Sequence, residues 1–414
     1  MDNVTLKNQM KDIWIESFGD SRDYVDLLFD KYFNPEYVAY SQHDGNVIAS
    51  LIGIPYEFKS LKGELPILKG LYLCGLSTKP AFRKQGIMSR LLEEINEKAR
   101  QNGFDFTFLI PADDIMSIYY GARGYTSSFF SRELRFVSDH SFYKTLVNSL
   151  KNNKDKLSIL YHYESLACIR YEDWINQKDA TKQTAETSLS PKEELIRFLT
   201  DYEIRPQTSI SNEVQDSPSS CEVDYSILHT EEDWKVVIEE NVISSNHIYI
   251  CMDSKNKIQG VAFLEERKND ILVKRIIYKD PLASVKILEN IKQDFPEQNL
   301  TVRTDPSEGC VDQDEKQIWV PFYIHNNPPS DEYEDVSNIE SPVLNKNLMK
   351  SFAMCRILRE SEILKKITND SVVPKFLNLA ELQKLLLRRP TTPDYAGEAL
   401  NLPLINLSAY LLLE

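Results

Sequence analysis

Apolar side chains recur at helical spacing over the first thirty residues: Leu6, Met10, Ile13 and Phe18, then Tyr24, Leu28 and Tyr32. This period predicts two amphipathic helices across 4–33, the second with Ser21 as its N-cap. The pattern then shortens. Tyr37-Val38-Ala39-Tyr40 is β-prone, His43-Asp44-Gly45-Asn46 reads as a hairpin turn, and 47–54 reads as the next strand. A further strand covers 71–78, between Gly70 and Pro80. Over 86–100, Ile87, Leu91, Ile95 and Ala99 share one face while Glu93, Glu94, Glu97 and Lys98 lie off it. That is a helix, ended by Asn102-Gly103. Residues 104–110 are nearly all apolar, as in a buried strand. Helices, antiparallel strands and then strand–helix–strand predict an α/β (α+β) sandwich over 1–138.

Polar stretches at 178–191 and 206–220 read as exposed loops. Between 225 and 295 the first grammar returns. Asn256-Lys257-Ile258-Gln259-Gly260-Val261-Ala262-Phe263 echoes Gly45-Asn46-Val47-Ile48-Ala49-Ser50-Leu51, and a strand (271–278) and a helix (282–291) follow. This predicts a diverged internal duplication. Residues 325–341, with Pro328-Pro329 and four acids at 331, 332, 334 and 335, read as a linker. The tail predicts a strand at 352–358, a short helix at 361–367, a helix opened by Asn378 with Glu381 in capping-box position, and an apolar finish over 402–413.

Composition narrows the class. The 414 residues are 42% hydrophobic and 27% charged, which suits a globular chain of two or three domains. No apolar run approaches the roughly 18 residues of a membrane helix, and the start lacks the blocks of a signal peptide. The six cysteines are scattered, as expected in a reducing cytoplasm, and neither they nor the six histidines show metal-ligand spacing. A net charge of −15 argues against nucleic acid and favours cationic substrates such as amines, although solubility alone also explains it.

The segment most suggestive of chemistry is Leu76-Ser77-Thr78-Lys79-Pro80-Ala81-Phe82-Arg83-Lys84-Gln85-Gly86-Ile87-Met88-Ser89. It is the end of a strand, a basic turn, and a helix opening at glycine. The unpaired N–H groups of such a helix start can hold a pyrophosphate, with Arg83 and Lys84 adding charge. A plain strand–turn–helix with solvated basic residues has the same pattern. Arg83-Lys84-Gln85-Gly86-Ile87-Met88 resembles motif A of the GNAT acetyltransferase superfamily, R/Q-x-x-G-x-G/A, with Met88 departing from the small final residue. Downstream, Leu109-Ile110-Pro111-Ala112-Asp113 and Tyr119-Tyr120-Gly121-Ala122-Arg123-Gly124-Tyr125 resemble its Y-x-x-x-G-[FY] block.

That resemblance implies an acetyl-CoA-dependent N-acetyltransferase acting by direct transfer on the amine of a small molecule or a lysine side chain. It implies acetyl-CoA contacts at Leu76, Ser77, Thr78, Arg83, Lys84, Gln85, Gly86, Ile87, Met88, Ser89, Ala112 and Asp113. Tyr120 would protonate the departing thiolate, or else be a core aromatic like Tyr119 and Tyr125. No metal is implied. In order the chain is similar to the Eis (enhanced intracellular survival) group: a catalytic GNAT domain (1–138), a degenerate GNAT-like domain (139–345) and a sterol-carrier-like C-terminal domain, here shortened (346–414). The second unit has Ile277-Tyr278-Lys279-Asp280-Pro281 where a CoA loop would lie, so it should not bind CoA. The Eis resemblance also implies a homo-oligomer, and a terminal carboxylate, here that of Glu414, acting as base. Its ordinary pKa of roughly 3.5 requires burial or a water relay for that role. Alternatives are another tandem-GNAT acyltransferase and a CoA- or ligand-binding module without turnover. Cys74, close to the cleft strand, reads as a core thiol.

Overall fold

The computed structural model describes residues 1–60, 67–151, 153–181, 189–204, 223–268, 270–304, 348–359 and 404–406. The chain opens with α1 (Asn3–Phe18), whose first amides are capped by the Asp2 carboxylate and which closes on left-handed Gly19. Leu6, Met10, Ile13 and Trp14 form its buried stripe. Phe18, expected on that stripe, is exposed: the five residues from Ile13 carry it well past one turn, and Trp14 takes the inward place. Ser21 caps α2 (Arg22–Tyr32) as expected, its Oγ accepting from the Tyr24 amide at 3.2 Å. Val25, Leu28 and Phe29 are buried, with Tyr24 and Tyr32 at the margin.

Tyr37 ends a single 3-10 turn, so the first strand, β1 (Val38–His43), begins one residue later than the apolar run. It turns into β2 (Asn46–Ser60) through Asp44 and Gly45, both left-handed, which matches the twist of the hairpin. There follow β3 (Leu68–Thr78), α3 (Ile87–Gln101), β4 (Phe106–Leu109), α4 (Asp114–Gly121) and β5 (Thr126–Phe136). All four expected inward residues of α3, Ile87, Leu91, Ile95 and Ala99, are buried. α1 and α2 cover one face of this sheet and α3 the other.

Next come α5 (Phe142–Ser149), α6 (Lys156–Ser165), β6 (Ala167–Arg170), α7 (Tyr171–Thr181), α8 (Pro191–Ile204), β7 (Val223–Ile227) and α9 (Glu231–Ile243). The loop expected over 178–191 is helical at both ends. Lys178 of α7 lies 4.7 Å over the Trp174 ring and pairs with Glu194 of α8, which gives these polar residues structured partners. Residues 206–220 and 325–341 lie outside the described residues.

The chain continues with β8 (His247–Met252), β9 (Ile258–Arg267), β10 (Asp270–Tyr278), α10 (Pro281–Asp294) and β11 (Asn299–Thr304). Three antiparallel strands, a helix and a parallel strand repeat the order β1, β2, β3, α3, β4. Even a bulge recurs: register slips at Lys274 in β10, as it does at Gly75 and Leu76 in β3.

Two later strands join the first unit's sheet. β7 extends the edge of β2, pairing with residues 58–60. β12 (Leu348–Ile357) lies between β4 and β5, antiparallel to both. It opens the stretch read as a third domain, yet it is paired here on both sides. Arg356 of β12 also bonds Glu93 of α3 at 2.6 Å. The last described strand, β13 (Leu404–Asn406), runs parallel to β7. β5 meets β11 at its far end, so the described strands of both halves form one continuous sheet. The helices expected at 361–367 and from Asn378 fall outside the described residues. Among the described residues no helix is long and apolar enough to cross a membrane.

Candidate active site

β3 pairs with β4 only from Gly70 to Tyr72, opposite 106–108. From Leu73 onward no ladder joins them, and β4 itself ends at Leu109. Burial along β3 changes past this point: it is complete through 70–74 and partial at Gly75, Leu76 and Thr78. The bulge sits at this point. Gly75 has φ 62°, and a Cβ on it would lie 2.1 Å from the Trp14 ring. Only glycine allows both the left-handed backbone and that approach.

Beyond Thr78 the chain makes one 3-10 turn (Pro80–Phe82) and folds back, with Arg83 Nε donating to the Thr78 carbonyl at 2.9 Å. Lys84 and Gly86 are both left-handed, at φ 63° and 73°. Gly86 is the N-cap of α3, offers no side chain to its first amides, and no acid lies in the first turn. Arg83, Lys84, Gln85 and Gly86 are exposed. An uncapped helix start flanked by two cations fits the pyrophosphate of acetyl-CoA. Space is available: the nearest atom to a Cβ on Gly86 would be Arg90 Nη1 at 3.9 Å.

The corresponding start of α10 is filled by its own side chains. Asp280 Oδ1 accepts from the Leu282 amide at 2.9 Å, and Oδ2 lies 2.6 Å from His162 Nε2. A carboxylate there repels phosphate.

α4 is tied to α3 through Ser89. Its N-cap is Asp113, whose Oδ1 accepts from the Met116 amide at 2.7 Å. The carboxylate expected to meet the cofactor is thus used by the helix, and its neighbour Ala112 is exposed. Tyr120 lies in the last turn and is buried against Tyr119 and Tyr125, with ring centroids 5.3 and 6.0 Å away. Burial, reinforced by those two phenols and opposed by Arg123, raises its hydroxyl well above the ordinary tyrosine range. It therefore keeps its proton at neutral pH. Among the described residues that hydroxyl has no hydrogen-bond partner.

Of the remaining expected contacts, Ile87 is buried and Met88 is half-buried against the α3-side core. Ser77 is buried, with its Oγ 3.4 Å from Ser50 Oγ, so its side chain is taken up by the neighbouring strand β2. Ser89 Oγ accepts from Arg123 and lies 3.3 Å from the Tyr119 hydroxyl. It joins α3 to α4 instead of standing free for phosphate. Cys74 is buried on the α1–α2 side and its thiol is pushed well up by burial, which suits a packing group and not a nucleophile. Glu414 lies outside the described residues.

Sequence reasoning assigned no role to two groups. One is the buried network in which Thr107 Oγ1 donates to Asn96 Oδ1 at 2.6 Å and the Tyr125 hydroxyl donates to the same oxygen at 3.2 Å. It fixes Tyr125 between α3 and β4. A polar Asn96 on the inward face of α3 was its signal. The other is Arg123, visible in the sequence only as a charge inside an aromatic block.

Comparison with solved structures shows a fold shared with one at TM-score above 0.5. The chain is similar to a conserved protein of unknown function from Enterococcus faecalis V583, described as a probable N-acyltransferase: TM-score 0.52, 11% identity, covering 87% of this chain and 72% of that one. Eis1 from Mycobacterium abscessus gives TM-score 0.49 at 10% identity, covering 86% and 72%. A GCN5-related N-acetyltransferase from Kribbella flavida gives 0.48 at 13%, covering 87% and 71%. No curated protein matches the sequence. The family model for the acetyltransferase (GNAT) domain matches residues 5–127, the stretch that holds β3, the uncapped start of α3 and Tyr120. The chain carries a GNAT acetyltransferase domain over residues 5–127.

Proposed function

We propose that the protein is an acetyl-CoA-dependent N-acetyltransferase that transfers directly to the amine of a small molecule or a lysine side chain. The observation that carries this reading is the uncapped, cation-flanked start of α3, just beyond the part of β3 that no longer pairs with β4, with a protonated, buried Tyr120 in α4. Acetyl-CoA would supply the thioester carbonyl. The amides of Ile87, Met88 and Ser89, with Arg83 and Lys84, hold the phosphates. The free edge of β3 at 76–78 aligns the pantetheine arm and polarises the carbonyl through backbone N–H groups. As the amine forms its bond to the carbonyl carbon and the C–S bond breaks, the amine loses its proton to water, Tyr120 Oη gives a proton to the leaving sulfur, and Tyr120 is reprotonated from water. Exclusion of water and alignment supply most of the acceleration. The acidic surface, net −15, draws cationic amines toward the site.

The reading extends to an Eis-like organisation: a second, degenerate GNAT-like unit, a shortened third domain, a cytoplasmic setting and a homo-oligomer. The repeated strand order with its repeated bulge supports the duplication, and the carboxylate cap of α10 supports a single acetyl-CoA site. The test is thiol release from acetyl-CoA across a panel of amines and lysine peptides. Amine-dependent release supports the reading. Tight acetyl-CoA binding with no release from any amine would make the chain a binding module.

A further inference from the structure

We propose that Arg123 is a positioning residue that locks α4, and with it Tyr120, to the first turn of α3. The inference rests on the acetyltransferase reading above and deepens it. Arg123 lies three residues after Tyr120, just past the end of α4. Its Nε and Nη2 both donate to Ser89 Oγ, at 3.0 and 2.7 Å, and its Nη1 donates to the Tyr119 carbonyl at 2.6 Å. The guanidinium carbon sits 3.5 Å from the Tyr119 ring centroid. Tyr119 itself reaches Ser89, hydroxyl to hydroxyl at 3.3 Å.

This is an unusual commitment for an arginine. Among the described residues no carboxylate pairs with it, although the chain has 63 acids to offer. Its donors go to one serine hydroxyl and one backbone carbonyl. Charge-assisted bonds of this kind are stronger than neutral ones, and the stacked ring fixes the plane of the fork. The turn behind it is held as well, because the Tyr120 carbonyl accepts from the Arg123 amide at 2.8 Å and the Tyr125 amide at 3.2 Å.

The consequence follows from where Ser89 sits. It belongs to the helix start whose amides face the phosphates, while Tyr119 and Arg123 flank Tyr120. One side chain therefore joins the helix that holds acetyl-CoA to the helix that carries the acid. α4 has only eight residues, and its exposed Ile115 and Ile118 contribute little packing to hold it in place. Without the lock its last turn loosens, and Tyr120 spends less time aligned.

The test uses the full chain and the variants Arg123→Ala, Arg123→Lys, Ser89→Ala, Tyr120→Phe and the double variant Arg123→Ala/Tyr120→Phe. Acetyl-CoA affinity is read by calorimetry, kcat by thiol release, and α4 mobility by hydrogen exchange over 114–121 without ligand. Arg123→Ala and Ser89→Ala should each lower kcat by about tenfold or more with affinity kept, and each should speed exchange in α4. Arg123→Lys should recover part of the loss. On the Tyr120→Phe background, removing Arg123 should cost less than about twofold, because its effect passes through Tyr120. Weakened acetyl-CoA binding with kcat kept would make Arg123 a phosphate ligand and overturn the proposal. So would an additive double variant, or α4 exchange unchanged in both single variants. A wild type that turns over no amine would overturn the acetyltransferase reading instead, while α4 exchange would still decide whether Arg123 and Ser89 form the lock.

Discussion

Gly75→Ala tests the link between the bulge of β3 and the helix packed beneath it. The substitution adds one methyl to a residue at φ 62°, and that methyl would lie 2.1 Å from Trp14 Cζ3 and 2.3 Å from Cε3. The backbone term is about 1–2 kcal/mol for a non-glycine residue in the left-handed region. The ring cannot easily swing away. Its Nε1 donates to Asp20 at 2.6 Å, and it packs edge-on against Phe18 and Phe29 at 5.5 and 5.8 Å. Overpacking against such a ring costs roughly 1–3 kcal/mol, so the sum is about 2–5 kcal/mol. The loss should appear as a lower urea midpoint and faster hydrogen exchange in β3. A cycle with Trp14→Leu separates the two terms. The smaller side chain should relieve the clash but not the backbone strain, leaving a coupling energy of about 1–3 kcal/mol. A loss below about 1 kcal/mol in Gly75→Ala, or no coupling to Trp14, would refute the reasoning.

Three further outcomes are expected. Tyr120→Phe should keep acetyl-CoA affinity and lower turnover by roughly ten- to ten-thousand-fold, read by calorimetry and thiol release; unchanged turnover would leave Tyr120 a packing residue. Gly86→Asp should abolish acetyl-CoA binding to a wild type that takes one molecule per chain, because α10 already carries the carboxylate that the variant introduces; calorimetry reads both stoichiometry and loss. His140, packed among Phe136 and Phe142, is held below its ordinary pKa of 6.5 by burial, the facing charges of Glu289 and Asp139 opposing this and Lys292 adding to it. The unfolded chain thus takes its proton first, so stability should be full above about pH 6.5 and fall as pH drops below it, and His140→Phe should flatten that dependence.

Legibility in the sequence followed the strength of local periodicity. α3 was clear because four apolar residues repeat against an acidic face, and the β1–β2 hairpin was clear because Asp44-Gly45 demands a left-handed turn. Phe18 misled because a hydrophobic residue near a helix end fits more than one register. Residues 178–181 misled because polar composition reads as loop, while Lys178 finds both a ring and a carboxylate across two helices. In the site, the basic turn and Tyr120 were marked by short motifs. Ser89 and Arg123 could not be read as a pair, since two atoms 2.7 Å apart belong to residues 34 positions apart in the chain. Asp113 was assigned to the cofactor because a position in a motif does not reveal that its side chain already caps α4. The position of β12 could not be read at all, because strand periodicity says that a segment pairs and not with which neighbour.

The placement of β12 bears on the order in which the chain acquires its shape. β4 and β5 both emerge from the ribosome more than 200 residues before the strand that separates them, and until then each has an unpaired edge toward the other. Beyond the strand itself, the Leu358 amide bonds the Asp105 carbonyl at 2.9 Å and Arg359 reaches the Gly103 carbonyl at 3.3 Å, so the loop before β4 waits as well. Closing so long a loop is slow, which makes the early, half-formed sheet the species most open to misfolding and to chaperones during synthesis.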